Sequence, residues 1–255
     1  MLGPILDSVQ ASLGAVIAET ERHRSAALAA APARDFAAAL AVPGLSIVAE
    51  VKRRSPSAGD IDPGLDPGEL AGRYAAGGAA AISVLTEPDH FGAHPGDLET
   101  ARRSVDLPVL RKDFVLHPAQ VWQTRAMGAD AVLLIAAILD DTTLHDLMEV
   151  AEEAGLAALV EVHTPEEATR VRRAGATLIG VNNRDLRTFQ VDLAAAERIR
   201  PLLGGEVVAV AESGVSSPEG AARMAAAGYD AVLVGEAAVR SGDPAAFVSA
   251  LGSAR

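Results

Sequence analysis

MGADAVLLI at residues 127–135 and AGYDAVLVG at residues 227–235 are two copies of one sequence unit. In each copy a glycine stands where a helix would end, because the residue after a helix often needs a positive φ. A continuous apolar run follows the glycine, which is typical of a parallel strand buried on both faces. The unit therefore predicts a helix followed by a buried parallel strand.

Weaker copies of this unit extend over most of the chain. The apolar runs lie near residues 46–52, 79–85, 108–112, 130–135, 157–162, 176–181, 206–211 and 230–235. Four dipeptides between the runs fit a helix N-cap followed by proline, namely His117-Pro118, Thr164-Pro165, Ser217-Pro218 and Asp243-Pro244. Eight such units predict an α/β fold, a closed (β/α)8 TIM barrel. The alternative is an open doubly wound sheet, which usually carries a glycine-rich fingerprint after its first strand, and KRRSPSAGD at 52–60 is not one.

The first 45 residues precede the first predicted strand. Their apolar residues Leu6, Val9, Leu13, Val16 and Ile17 have helical spacing. We therefore expect residues 1–45 to form one or two helices packed on the barrel, as an N-terminal helical extension. Residues 1–255 are expected to form a single domain.

Composition limits the classes of function. The chain has 255 residues, with 34 acidic and 22 basic side chains and a formal charge of −12, which disfavours nucleic acid as a partner. It has no cysteine, so disulfides, thiolate metal sites and cysteine nucleophiles are excluded. The N-terminal MLGPILDSVQ lacks the basic start of a signal peptide, and the apolar run 131–139 is too short to span a bilayer. These features predict a cytoplasmic protein with no membrane partner.

The lysines are the most informative residues of the sequence. There are only two, Lys52 and Lys112, against 20 arginines, and both stand at predicted strand C-termini. If about one residue in ten lies at the catalytic mouth of a barrel, chance would put both there about once in a hundred. Unlike arginine, a partly buried lysine can lose its proton near neutral pH. The pattern indicates proton transfer or a Schiff base, and structural ion pairs with carboxylates are the alternative.

Carboxylates accompany these lysines. Glu50 lies two residues before Lys52, so both side chains point to the same face of one strand. Glu161 interrupts an otherwise apolar strand, where a carboxylate needs a partner or a function. An acid and a base are therefore expected side by side above the core, and a buried glutamate–lysine bridge is compatible with the same pattern.

The last two strand ends suit a phosphate group. Ser213-Gly214 and Gly235-Glu236 precede helices, and glycine lets backbone amides approach an anion closely. The carboxylate of Glu236 would then have to point away from the anion. Ser55, in the loop after the first strand, is a further candidate donor, and its alternative role is that of a turn residue before Pro56.

Two aromatic residues and two histidines complete the candidates. Phe91 and Phe114 are predicted to lie in loops at the catalytic end, where they would pack against an aromatic ligand or cover the core. His90 and His94 have the spacing of a metal pair. The residues between them and the following Pro95 indicate a loop instead, so no metal site is predicted.

Seven motifs occur in register with the predicted strand ends: AEVKRRSPS at 49–57, LRKDF at 110–114, GADAVLLI at 128–135, LVEVHT at 159–164, GVNNRDL at 180–186, AESG at 211–214 and LVGEA at 233–237. Together they closely resemble the indole-3-glycerol-phosphate synthase family over nearly the whole chain. One loop departs from the family pattern, with Ala93 and His94 where glycine and serine are typical. The resemblance implies an enzyme of tryptophan biosynthesis that acts without metal or cofactor. Its substrate would be 1-(2-carboxyphenylamino)-1-deoxyribulose 5-phosphate, which closes to an indole with loss of CO₂ and water.

The resemblance also implies roles for individual residues. Lys112 resembles the general acid that assists ring closure, and Glu161 the carboxylate that acts as a base or stabilises developing positive charge. Glu50 and Lys52 resemble the pair that binds substrate and serves the later dehydration. The remaining implied positions orient or hold the substrate: Asn182 and Arg184 at its hydroxyls and beside catalytic groups, Glu212 and Ser213 at the mouth, and Ser55, Gly214, Gly235 and Glu236 around the phosphate.

Two other functions compete with this one. A phosphoribosyl isomerase on a sister barrel relies on a cysteine–aspartate pair, and this chain has no cysteine. A barrel that only binds a phosphosugar is disfavoured by the presence of Lys52, Lys112 and Glu161 together. A monomer is the expected assembly, although the sequence does not determine it, and the small phosphosugar–anthranilate substrate is the expected partner.

Overall fold

The barrel strands are the framework of the molecule. In the computed structural model of the chain, which describes residues 2–185, 188 and 190–253, eight parallel strands close into a barrel. They are β1 (Ser46–Val51), β2 (Ala81–Leu85), β3 (Val109–Lys112), β4 (Ala131–Ile135), β5 (Ala157–Val162), β6 (Leu178–Asn182), β7 (Val208–Glu212) and β8 (Ala231–Val234). Each strand pairs with its neighbours in the chain, and β1 closes the barrel on β8. The predicted (β/α)8 barrel is confirmed.

Helices connect the strands and cover the outside of the barrel. They are α1 (Leu2–Ala18), α2 (Thr20–Ala29), α3 (Phe36–Leu40), α4 (Pro67–Ala76), α5 (Pro88–Phe91), α6 (Asp97–Ser104), α7 (Pro118–Ala126), α8 (Asp141–Glu153), α9 (Pro165–Arg173), α10 (Leu193–Leu203), α11 (Pro218–Ala226), α12 (Glu236–Arg240) and α13 (Pro244–Gly252). A small antiparallel hairpin pairs Arg54–Ser55 with Gly59–Asp60. At all four helix starts predicted from X-Pro dipeptides, the N-cap side chain accepts a hydrogen bond from a backbone N–H of the first turn.

Side chains along each strand alternate between two apolar layers. In β1, Ile47 and Ala49 pack outward with the helices, whereas Val48 packs inside the barrel. The interior layer takes its side chains from every strand: Val48, Ala81, Leu110, Leu133, Leu159, Leu178, Val210 and Leu233. Because the side-chain period of a strand is two, the next residue of the same face lies one layer closer to the C-terminal mouth.

The aspartate of the repeated unit ties neighbouring strands together. Asp130 Oδ2 accepts a hydrogen bond from Val109 N at 2.8 Å, and Asp230 Oδ2 accepts one from Ala209 N at 2.8 Å. Each aspartate stands directly before one strand and accepts a hydrogen bond from the start of the preceding strand in the chain. The glycines two residues earlier both have φ of +89°, as the helix-ending interpretation requires. The similarity of the two quoted stretches therefore reflects a shared connection between strands.

The chain before β1 forms three helices, so the expectation of one or two was too low. Ile5 and Val9 of α1 are buried, whereas Ile17 is 42% exposed, so only the first half of α1 has its apolar face covered. Helix α2 packs along α7. The backbone N–H of Arg34 donates to Asp130 Oδ1 at 2.8 Å, which anchors the extension to the N-terminal end of the barrel.

Asp130→Ala is expected to destabilise the protein more than Asp230→Ala. Asp130 is 1% exposed and also contacts Arg102, so its loss leaves buried N–H groups without an acceptor and removes the counterion of Arg102. Such losses cost about 2–4 kcal/mol, whereas the half-buried Asp230 should cost about 1 kcal/mol. Urea unfolding of both variants measures the difference. Equal losses would mean that the link to the extension contributes nothing to the free energy of unfolding.

Candidate active site

The polar residues at the barrel mouth follow from the alternation inside the strands. Each stands two positions beyond an interior residue of the same strand: Glu50 after Val48, Lys112 after Leu110, Glu161 after Leu159, Asn182 after Gly180 and Glu212 after Val210. Their side chains therefore converge above the apolar core. The expected same-face placement of Glu50 and Lys52 is confirmed, because Lys52 Nζ lies 2.7 Å from Glu50 Oε1.

A cavity of about 480 Å³ opens at this mouth. The residues selected from the sequence all line it: Lys112, Glu161, Lys52, Glu50, Asn182, Arg184, Glu212, Ser213, Phe91, Phe114, Ser55, Gly214, Gly235 and Glu236. Residues from distant parts of the chain thus meet in one place, as the barrel topology predicts. The roles that the resemblance implies for them remain predictions.

Lys112 occupies the floor of the cavity between two carboxylates. Its Nζ lies 2.9 Å from Glu161 Oε2 and 3.0 Å from Glu212 Oε2. Burial alone would lower the pKa of this ammonium, but the charges of Glu161, Glu212 and Glu50 outweigh burial and raise the pKa above its ordinary value. The argument that burial frees a lysine proton therefore fails for Lys112. A stable ammonium suits a proton donor better than a Schiff base, which needs the neutral amine.

The two carboxylates beside Lys112 differ in their charge states. Burial would raise the pKa of Glu161, but Lys112 and His163 hold that pKa well below its usual range. Burial, together with the nearby charge of Glu161, raises the pKa of Glu212 to about 8 despite Lys112. Of the two carboxyl groups, Glu161 is therefore the more readily ionised, and Glu212 keeps a proton to higher pH than an ordinary glutamate does.

Two glycines make room for this charged cluster. A β-carbon at Gly180 would collide with Glu212 Oε1, and one at Gly235 would collide with Glu50 Oε1. A β-carbon at Gly235 would also lie 3.1 Å from Lys52 Nζ. Gly180 belongs to the motif GVNN, but the need for a glycine there arises from a side chain on the neighbouring strand, so the sequence alone does not reveal it.

The residues predicted to hold the phosphate also line the cavity. Ser213 and Gly214 follow β7 with φ of +62° and +85°, and Ser213 is the one non-glycine residue with positive φ among those described. The Glu236 carboxylate lies 3.2 Å from Arg240 Nε, and both residues line the cavity. Ser55 Oγ accepts a hydrogen bond from Ala58 N at 3.2 Å, so it serves the turn as well as lining the cavity.

The outer rim of the cavity is apolar. The rings of Phe91 and Phe114 lie 6.2 Å apart, and Leu2 and Ile5 of α1 complete this side. Phe91 ends the helical turn α5, which corrects the expectation that it lies in a loop. The Glu87 side chain caps that turn by accepting from three backbone N–H groups, which explains why the Glu-Pro sequence starts a helix there.

The loop that departs from the family pattern is fixed to the rest of the mouth. Asp97 forms a buried ion pair with Arg53 and accepts a hydrogen bond from His94 N at 2.8 Å. Ala93 is buried beneath the loop. His90 belongs to α5 and contacts Glu87, whereas His94 follows the helix, so the two histidines do not share a helix face.

Several residues of the site escaped the sequence analysis. Leu2, Ile5, Val191 and Arg240 line the cavity, and His163 lies behind Glu161. Their positions depend on the packing of distant segments, which periodicity does not report. Within the described residues no group of three or more His, Asp or Glu side chains could hold a metal ion. None of the described helices has both the length and the apolar character of a membrane span.

Comparison with known proteins assigns the family. The profile of indole-3-glycerol phosphate synthase matches residues 4–251. Indole-3-glycerol phosphate synthase of Rhodococcus jostii (strain RHA1) is 49% identical over 253 residues, covering 98% of this chain and 94% of the relative. The enzyme of Mycobacterium avium (strain 104) is 48% identical, covering 98% of this chain and 93% of the relative.

Two solved structures are similar in fold alone. 3-Hexulose-6-phosphate synthase has a TM-score of 0.64 and 20% identity, covering 82% of this chain and 99% of that one. Thiamine phosphate pyrophosphorylase from Pyrococcus furiosus has a TM-score of 0.58 and 19% identity, covering 81% of this chain and 93% of that one. By profile match and by its relatives over nearly the whole length, the chain belongs to the indole-3-glycerol phosphate synthase family.

Proposed function

We propose that this chain converts 1-(2-carboxyphenylamino)-1-deoxyribulose 5-phosphate to indole-3-glycerol phosphate, CO₂ and water by general acid–base catalysis. Its family places it among the carboxy-lyases of tryptophan biosynthesis. The observation that carries the mechanism is the ammonium of Lys112, held between the buried carboxylates of Glu161 and Glu212 on the floor of the cavity.

The cavity offers a matching wall to each part of this substrate. The aromatic ring suits the apolar rim of Phe91, Phe114, Leu2 and Ile5. The phosphate suits the glycine-rich wall at Gly214 and Gly235, where backbone N–H groups can face an anion. The ribulose chain would then lie over Lys112, with its carbonyl within reach of the ammonium.

The first chemical step is ring closure. The substrate carbonyl carbon bonds to the ring carbon that carries the carboxylate, while the carbonyl oxygen takes a proton from Lys112. The bond to the carboxylate then breaks, CO₂ leaves, and its electron pair returns to the ring. The ionised Glu161 faces the positive charge that develops on the amine and can accept a proton.

The second step removes the hydroxyl formed by ring closure. The hydroxyl takes up a proton and leaves as water. Loss of a proton from the ring system then completes the indole. Lys52 and Glu50, 2.7 Å apart, supply an acid and a base for this step. Asn182 and Arg184 line the same cavity and orient the substrate hydroxyls.

The proposal extends to assembly and location. We expect a single chain to suffice, because the residues assigned here line one cavity. A cytoplasmic location suits a substrate that carries both a phosphate and a carboxylate, since such an anion does not cross a bilayer unaided.

A turnover assay tests the proposal directly. Purified protein is mixed with the carboxyphenylamino-deoxyribulose phosphate and EDTA, without nucleotide, and indole fluorescence is followed. We expect indole-3-glycerol phosphate to form at a rate that EDTA does not change. Binding of the substrate by calorimetry without any product would instead support a barrel that only binds phosphosugars.

A further inference from the structure

His163 lies behind the site, on the side of Glu161 that faces away from Lys112. Its Nε2 is 3.3 Å from Glu161 Oε1, whereas Lys112 contacts Oε2 of the same carboxylate. The imidazole is largely buried and does not line the cavity. Any effect of His163 on the reaction therefore passes through Glu161.

Helix α9 holds this histidine in place. Glu167 Oε2 accepts a hydrogen bond from His163 N at 2.7 Å and lies 3.6 Å from His163 Nδ1. Thr164 and Glu167 have the sequence of a capping box, but Glu167 bonds His163, one residue before the N-cap. The helix start thus fixes the backbone at His163, and the two ring nitrogens lie at ion-pair distance from Glu161 and Glu167 without forming a hydrogen bond.

Glu161 and Glu212 flank the same ammonium, but only Glu161 accepts a hydrogen bond from Lys112, whereas neither oxygen of Glu212 has a hydrogen-bond partner within the described part of the chain. Both are buried, and each has an oxygen about 3 Å from Lys112 Nζ. Among the described residues, Glu161 has a second cationic partner in His163, whereas Glu212 has only Lys112. Two features therefore distinguish the carboxylates, the hydrogen bond from Lys112 and the contact with His163, and both belong to Glu161.

We propose that His163 is a positioning residue. As an imidazolium it keeps Glu161 ionised and oriented, so that the one proton held by the buried pair of Glu161 and Glu212 resides on Glu212. This inference deepens the proposed function and rests on it.

Charge balance supports the imidazolium. With a neutral imidazole, the ionised carboxylates of Glu161, Glu212 and Glu167 would face the single ammonium of Lys112 in a buried space, leaving an excess of negative charge. A proton on His163 and another on Glu212 bring the cluster to neutrality. The contacts with Glu161 and Glu167 outweigh burial and raise the pKa of His163 to about 10.

The other charged groups around the cluster are compatible with this assignment. The charge of Glu50 on β1 also raises the pKa of Lys112 and so favours the ammonium. Arg170 on α9 helps to hold the pKa of Glu167 below its ordinary value, and its own Nε lies 3.3 Å from Asp141. The charged groups packed against His163 thus leave Glu161 and Glu167 as its counterions.

The first test is the state of His163 in the ligand-free protein. The chain has six histidines, so ¹⁵N NMR of the imidazoles can resolve them, with His163→Gln identifying the signal. We expect both ring nitrogens of His163 to show the imidazolium shifts at pH 8.5. A neutral ring at that pH would overturn the proposal, and this result does not depend on whether the protein turns over any substrate.

The second test is the pH profile of kcat/KM. In His163→Gln the acidic limb, below which Glu161 takes a proton, should move up by about one pH unit. Glu161 stays ionised near neutral pH after that move, so the expected fall of kcat there, about 10- to 100-fold with KM little changed, reports the lost orientation of the carboxylate. Glu167→Gln keeps an acceptor for His163 N but removes the charge, so it should move the limb in the same direction by less. This second variant tests the idea if His163→Gln folds poorly.

His145→Gln is the matched control, since His145 lies on the surface of α8 and pairs with Glu149. It should leave the profile unchanged. An unshifted limb in both His163→Gln and Glu167→Gln, or a loss of kcat that only follows a loss of thermal stability, would overturn the positioning role. If the wild-type protein forms no product, the proposed function fails while the NMR result still stands.

Discussion

Lys112→Ala is expected to reduce kcat by about 10³-fold or more while the fold persists. The variant removes the proton donor for the carbonyl oxygen, a group whose loss costs about two to four orders of magnitude in rate. The two glutamates left behind remain tolerable because the pKa of Glu212 is already raised, so this carboxyl group can take up a proton when the ammonium is lost. Steady-state turnover, far-UV circular dichroism and binding of indole-3-glycerol phosphate measure the effect.

Lys112→Arg separates proton donation from charge. The guanidinium keeps a positive charge opposite Glu161 and Glu212 but does not release a proton near neutral pH. We expect this variant to be nearly as inactive as Lys112→Ala and to bind product more tightly than it. Substantial turnover in Lys112→Arg would reduce the role of Lys112 to electrostatic balance. Full turnover in Lys112→Ala would remove it from the mechanism.

The position of Lys112 was accessible from the sequence because it depends on local rules. The apolar runs locate the strands, the barrel places chemistry at their C-terminal ends, and the period of two selects the residues that face inward. These rules suffice to predict that Glu50, Lys112, Glu161 and Glu212 face the mouth of the barrel. Both lysines of the chain, Lys52 and Lys112, line the cavity at this mouth.

The parts that the sequence did not reveal depend on contacts between distant segments. Leu2 and Ile5 reach the cavity only because α1 crosses the mouth, and a helical periodicity does not say what a helix covers. Burial was expected to loosen the proton of Lys112, yet three carboxylates contributed by three other strands reverse that effect. Side-chain charge states are set by partners in space, so the motif order predicts the members of the cluster but not their protonation.

Glu161→Gln is expected to lower kcat by about 10²- to 10⁴-fold while substrate affinity changes little. Glutamine keeps the shape of the side chain but neither accepts a full proton nor stabilises a developing positive charge to the same degree. The phosphate wall lies on other strands, so binding of product should persist. Single-turnover kinetics and calorimetry separate the two effects.

The same substitution should change the charge of its neighbour. The charge of Glu161 helps to raise the pKa of Glu212, so removing that charge lowers the pKa of Glu212 from about 8 towards its ordinary value. At pH 7.5 Glu212 then ionises and replaces Glu161 as the counterion of Lys112, which preserves the fold but not the base. Glu212→Gln is the matched control: it leaves Glu161 ionised beside Lys112 and should therefore retain more turnover than Glu161→Gln. If Glu161→Gln loses product binding and turnover in equal measure, or if the two variants are equally inactive, Glu161 serves the structure of the cluster and the base must be sought at Glu50.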